Sequence, residues 1–182
     1  GLARLVREQV RLARTQVDYH LARSRAAAAV GVPGQRTPMR PVLEGLQRLM
    51  AKVYAGRDLR LQLLACSVSL AFRCEAQDLQ EMLGNLLDNA CQWAQARVRL
   101  TAGAHSTGLW LRVEDDGPGC APEQLAALQQ RGARLDESRT GHGLGLAIAG
   151  DIVSQYGGTL HLGRSEELGG FLAELSLPLP SE

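Results

Sequence analysis

Along residues 1–29, Val6, Val10, Ala13, Val17 and the His20/Leu21 pair recur at alternating spacings of four and three. A period near 3.5 is that of a helix with one apolar seam, as in a coiled coil or helical bundle. Arg4, Arg7, Arg11 and Arg14 occupy its solvated flanks, and such a seam needs a partner to cover it. The pattern breaks at "VGVPGQRTP", whose glycines and prolines mark a linker. The expected organisation is therefore a partial bundle helix at 1–29, a linker at 30–37 and a domain at 38–182.

Beyond the linker a helical period over 41–56 places Val42, Leu46, Leu49 and Val53 on one face, with Gly56 as the stop. Apolar and polar residues then alternate in "LRLQLL" (59–64) and "VSLAFR" (68–73), the period of half-buried strands. A longer helix is predicted over 75–93. Strands "ARVRLTA" and "LWLRVED" follow around the turn "GAHSTG", and then a loop-rich stretch at 115–142. A helix over 143–156 ends at Gly157–Gly158, and "TLHLG" and "FLAELSL" form a hairpin around "SEELGG". Neighbouring alternating strands with interleaved helices imply a mixed sheet covered on one face only, a two-layer α/β sandwich.

Composition narrows the function classes. Of the 182 residues 45% are hydrophobic, enough for a packed core, and the net charge of +1 supplies no field to recruit nucleic acid or an anionic membrane. No apolar run approaches the ~20 residues that span a bilayer, and the N-terminus lacks the apolar segment of a signal peptide. Cys66, Cys74, Cys91 and Cys120 are dispersed without a CxxC pair, as are the four histidines, so the expected thiols are reduced and a zinc site has little support.

Three stretches have the residue types for chemistry. In the 75–93 helix Leu79, Met82, Leu83, Leu86, Ala90 and Trp93 form an apolar stripe. Asp78, Glu81, Asn85, Asp88/Asn89 and Gln92 form a polar one. That second stripe reads either as a solvated face or as amide oxygens, hard neutral ligands suited to a Mg²⁺ that already carries phosphate. In "VEDDGPGCAP" adjacent acids end a strand before Gly117 and Gly119. The stretch reads as a β-turn, or as a carboxylate for an exocyclic amine beside glycines that admit a ligand. In "RTGHGLGLAIAGDIV" three glycines precede an apolar helix. Their N–H groups at a helix N-terminus favour an anion. The dinucleotide fingerprint fails here, because Leu146 stands at its third glycine and a polar loop, not a strand, precedes it.

In this order, Asn-x₃-Asn-Ala (Asn85 to Ala90), Asp-x-Gly-x-Gly (Asp115 to Gly119) and Gly-x-Gly-Leu-Gly-Leu (Gly141 to Leu146) resemble the N, G1 and G2 boxes of the GHKL ATPases. The wording "NLLDNAC", "VEDDGPG", "RGARLD" and "GLGLAIA" is similar to the catalytic domain of sensor histidine kinases of the PhoQ type, over residues ~36–180. The resemblance implies the Bergerat (GHKL) sandwich, with ATP bound between the helix layer and a lid. It implies Asn85 and Asn89 on Mg²⁺ and phosphates, Asp115 on the adenine amino group, and Gly117 and Gly119 in the pocket floor. Gly141, Gly143, Leu144 and Gly145 would form the phosphate loop, with Arg134 and Arg139 reaching in from the lid. His142 stands where relatives have glutamine or threonine, and could touch phosphate or metal or point outward. Trp93 matches an aromatic position that packs on adenine or joins the core. Glu81 could orient or deprotonate the acceptor, or be a solvated acid.

The family reaction is in-line transfer of the γ-phosphoryl group to a histidine nitrogen for relay to a response-regulator receiver domain. Two departures matter. Gln92 replaces a lysine common in relatives of the PhoQ type, removing a charge-assisted phosphate contact worth ~1–2 kcal/mol. No segment matches the family's phosphoacceptor motif: His20 is followed by "LARSR", and "RTP" at 36–38 has no neighbouring histidine. The chain is therefore expected to be a fragment that binds ATP or ADP without phosphorylating itself. It would belong to the cytoplasmic side of a bacterial inner-membrane sensor that dimerises through its bundle. Two rivals share the motifs: a GHKL ATP hydrolase, and a degenerate nucleotide-binding module acting through protein contacts.

Overall fold

The computed structural model describes residues 36–67, 69–121, 125 and 144–178. The expected helix at 1–29 and most of the linker lie outside them. In chain order the elements are β1 (Thr37–Pro38), α1 (Met39–Val53), β2 (Arg60–Ala65), β3 (Ala71–Phe72), α2 (Ala76–Trp93), β4 (Arg97–His105), β5 (Gly108–Asp115), α3 (Leu144–Gln155), β6 (Thr159–Arg164) and β7 (Phe171–Pro178).

Five strands form one sheet in the order β2-β4-β5-β7-β6. Only β2 and β4 are parallel, as the α2 crossover between them requires; β4-β5, β5-β7 and β7-β6 are antiparallel. Every second residue of β7 (Phe171, Ala173, Leu175, Leu177) is buried, and β5 presents Leu109, Leu111, Val113 and Asp115 on the same side. These meet Leu79, Met82, Leu83, Leu86 and Leu87 of α2 and Ile148, Ala149, Ile152 and Val153 of α3 in one core. The other face is polar: the Trp110 ring lies over Gly103, the Arg112 guanidinium stands 5.3 Å from the Trp110 ring centre, and Arg112 pairs with Glu174. The two-layer mixed sandwich is as the periodicity implies.

Three local readings change. The buried face of α1 is Met39, Val42, Leu43, Leu46 and Met50, whereas Leu49 and Val53 of the expected stripe are 51% and 62% exposed. The helix starts two residues earlier than the pattern places it, which adds Met39, and the buried stripe runs through Leu43 and Met50 rather than Leu49 and Val53. The alternation at 68–73 yields only the short β3, which pairs with β1 and stays out of the main sheet. Here Thr37 Oγ1 donates to the Cys74 carbonyl at 2.6 Å and closes the small ribbon. Trp93 of the expected apolar stripe is half exposed, and Cys91 and Ala94 close the core instead.

Arg57, just beyond α1, finishes α2. Its Nη1 donates to the carbonyls of Cys91 and Gln92 and its Nη2 to that of Ala94, each at 2.7 Å. A cation on the last carbonyls of a helix satisfies orphan acceptors and complements the dipole. Tyr54 adds a hydroxyl donated to Asp88 Oδ1 at 2.8 Å, so Asp88 turns toward α1 and leaves the polar stripe.

Candidate nucleotide site

The site begins where β5 ends. Asp115 is 1% exposed. Its Oδ1 accepts from the backbone N–H of Gly117 at 2.8 Å and of Phe171 at 3.2 Å, while its equally buried Oδ2 has no partner among the described residues. Burial pushes this carboxyl above the usual range, against the two N–H donors, and the neighbouring Asp116 charge adds to the push. A carboxylate so held has one oxygen used for orientation and one that still lacks a donor among the described residues.

Glycines make the room. A Cβ on Gly117 would stand 2.5 Å from the Trp93 carbonyl oxygen and 2.8 Å from Asp115 Oδ1. Gly119 has φ +71°, a left-handed conformation that suits glycine. Gly170, which the sequence pattern assigns to an ordinary hairpin turn, is the tightest of the set: a Cβ there would overlap the Asp115 carbonyl oxygen and Oδ1. The turn holding it is stapled shut. Ser165 exchanges backbone bonds with Gly170 and Gly169 at 2.9 Å, accepts from Leu168 N–H at 3.0 Å and donates its hydroxyl to the buried Glu114 at 2.7 Å. The available signal was a Gly–Gly pair placed directly before a strand.

Asp116 proves to be a structural acid. Its Oδ1 accepts from the N–H groups of Gln95, Ala96 and Arg97 at 2.9–3.0 Å, and its Oδ2 from Arg97 Nε at 3.3 Å. Partial burial opposes its charge, but these donors outweigh it and hold the carboxyl below its usual range. A depressed folded value means stability that is present above the unfolded value of about 3.9 and lost as pH falls through the folded value. Asp116→Asn should therefore unfold at lower urea than the parent at pH 7. The gap should close below about pH 4, as urea melts across pH would show.

The facing helix contributes the amides. Asn85 Nδ2 donates to the Glu81 carbonyl at 2.8 Å, which directs Oδ1 toward α3. There a Cβ on Gly145 would stand 3.1 Å from that oxygen, so the absence of a side chain at 145 leaves the amide its space. Asn89 and Gln92, both half-buried, follow on α2. Glu81 and Asn85 also rim a groove of about 720 Å³ between α1 and α2, floored by Leu46 and Met50. Trp93 meets the site through its carbonyl against Gly117. Leu144 opens α3, while Gly141, His142, Gly143, Arg134 and Arg139 lie outside the described residues. All four cysteines are free, and burial pushes the Cys91 thiol up to about 11, far from a thiolate at neutral pH.

A one-sided sandwich with an oriented strand-end carboxylate, close-packed glycines and helix amides opposite belongs to the class of two-layer ATPase domains. Residues 74–181 match the family of histidine kinase-, DNA gyrase B- and HSP90-like ATPases, and the chain belongs to that family. It is 39% identical over 178 residues, 98% of this chain, to the sensor protein kinase CarS of Pseudomonas aeruginosa. It is 34% identical over 168 residues, 92% of this chain, to the sensor protein PhoQ of Escherichia coli. The chain spans 39% and 34% of the lengths of these two relatives. Among solved structures, the ATP-binding domain of PrrB from Mycobacterium tuberculosis shares the fold, with a TM-score of 0.66 at 24% identity over 80% of this chain and 97% of that one.

Proposed function

We propose that this chain is the ATP-binding catalytic part of a two-component sensor histidine kinase. The observation that carries the reading is Asp115, whose two oxygens differ: one is spent on Gly117 and Phe171, the other is buried without a partner among the described residues. An adenine amino group would be the donor that this oxygen lacks, and Gly117 and Gly170 let the backbone close tightly around the carboxylate that would receive it. Family membership and named sensor-kinase relatives support the same reading.

In this proposal Asn85 and Asn89 hold Mg²⁺ as neutral oxygen ligands, and the ion when bound neutralises phosphate charge. The N–H groups at the start of α3, with Gly141, His142, Gly143, Leu144 and Gly145, receive the phosphates, and Arg134 and Arg139 approach from the lid. Gln92 and Trp93 complete the wall and Glu81 faces the acceptor. The acceptor histidine stands on another segment of the parent, which passes the phosphoryl group to a response-regulator receiver domain. The parent dimerises through its helical bundle and senses at the bacterial inner membrane, with this part on the cytoplasmic side. Among the described residues no helix is long and apolar enough to cross a membrane.

Calorimetric titration with ADP and a non-hydrolysable ATP analogue, with and without Mg²⁺, tests the site. Micromolar binding strengthened by Mg²⁺ is expected. Asn89→Ala should lose that strengthening, about tenfold in Kd. No heat and no thermal shift at millimolar nucleotide would rule the reading out. Phosphorylation of an added acceptor-helix peptide then tests the kinase assignment.

A further inference from the structure

Two polar side chains of α2 meet opposite ends of α3. Asn85 faces its first turn at Gly145. Two helical turns earlier Asp78, fully buried, meets Tyr156, the residue that follows its last turn. The Tyr156 hydroxyl donates to Asp78 Oδ2 at 2.6 Å and accepts from the Glu75 N–H at a longer 3.5 Å. Glu75 is the N-cap of α2 and Asp78 its third residue. An acid at that position commonly reaches back to the N-cap N–H directly. Here the hydroxyl from the end of another helix stands between the two, so the first turn of α2 completes its cap only with α3 in register.

Tyr156 is itself fixed on its remaining sides. Its ring packs edge-on against Phe72, with centroids 5.6 Å apart and planes at 73°. The turn after it has Gly157 at φ +70° and bonds Gly158 N–H to the Val153 carbonyl at 2.9 Å. A Cβ on Gly158 would stand 2.5 Å from the Ser176 carbonyl oxygen, which seats this turn on β7.

We propose that the Tyr156–Asp78 pair is a positioning clamp for phosphate binding: it sets the axial register of α3 on α2, and through it the distance between the first turn of α3 and Asn85. The proposal rests on the nucleotide reading above. Neither residue touches substrate. The clamp acts on the phosphate end alone, because the adenine end is set by Asp115 on β5 and by the 165–170 turn, which α3 does not carry.

Tyr156→Phe keeps the ring on Phe72 and removes only the hydroxyl. Because it strands a buried carboxylate, Tyr156→Phe/Asp78→Asn serves as the neutral counterpart should the single variant fold poorly. Calorimetry on the whole chain should show the Mg²⁺–ATP analogue weakened about tenfold and adenosine changed by less than about twofold. Amide hydrogen exchange without ligand should quicken at residues 145–149, the end of α3 remote from the substitution. Equal weakening of both ligands would mean a loss of general stability and would overturn the clamp. So would unchanged exchange at 145–149, a readout that decides the register even if the parent chain binds no nucleotide and the site assignment itself fails.

Discussion

Asp115→Asn should lose adenine-nucleotide binding by about a hundredfold or more while leaving the domain folded. Both results follow from the two carboxyl oxygens having separate partners. The Gly117 and Phe171 N–H groups both point at Oδ1, so an asparagine will keep its carbonyl oxygen there. Its amino group must then take the place of Oδ2, the atom without a partner among the described residues. A donor replaces an acceptor, and an adenine amino group arriving there meets N–H against N–H. The lost bond and the unpaired groups together are worth about 3 kcal/mol, roughly two orders of magnitude in affinity.

Stability should move the other way. Burial raises the folded-state value of this carboxyl. Such a group favours the fold below its unfolded value of about 3.9, and that contribution is lost as pH rises through the folded value. The neutral amide escapes this loss, so at pH 7 the variant should unfold at or above the parent's temperature. Isothermal titration and a thermal melt on one preparation check both results. Intact binding in the variant would place the nucleotide elsewhere.

Among the described glycines, Gly170→Ala should be the most damaging added methyl group. The added carbon meets two backbone atoms and one carboxylate oxygen: it would overlap the Asp115 carbonyl oxygen and Oδ1 and stand 2.6 Å from the Gly117 nitrogen. The carboxylate oxygen is itself held by the Gly117 and Phe171 N–H groups, so none of the three can move freely. The Ser165 bonds to Gly169, Gly170 and Glu114 keep the turn from backing away. Overpacking of this kind costs about 3 kcal/mol, or roughly 10 °C in Tm for a domain of this size. Whatever folds should have Asp115 displaced and nucleotide binding lost. Gly169→Ala, next door, is the control for the site, since a Cβ there meets nothing within 4 Å. Its strain is confined to φ +83° in the backbone.

Much of this molecule was legible in the order of its residues. Alternation in β5 and β7 and the 3.6-residue period of α2 are local properties, set by which side of a strand or helix each residue occupies. They were enough for the one-sided sandwich. The three motifs were legible because glycine, asparagine and strand-end aspartate are each chosen for backbone room or a fixed polar atom, which short-range chemistry demands. Asp115, Gly117 and Asn85 sit where that demand is visible in the fold.

What the tertiary structure decided is which polar groups are already satisfied. Asp115 and Asp116 are adjacent and identical in type, yet one keeps a buried oxygen without a partner among the described residues and the other is consumed by three backbone N–H groups of the α2–β4 turn. Asp78, Asn85 and Asp88 read as members of one polar stripe, but Asp78 is sealed under Tyr156, Asn85 meets Gly145 and Asp88 turns to Tyr54. The Gly169–Gly170 pair marks only a turn and Arg57 has no local signature, because the Asp115 backbone and the last carbonyls of α2 come to them from distant parts of the chain. A residue's own period tells which side it faces; only the folded chain tells what it meets there.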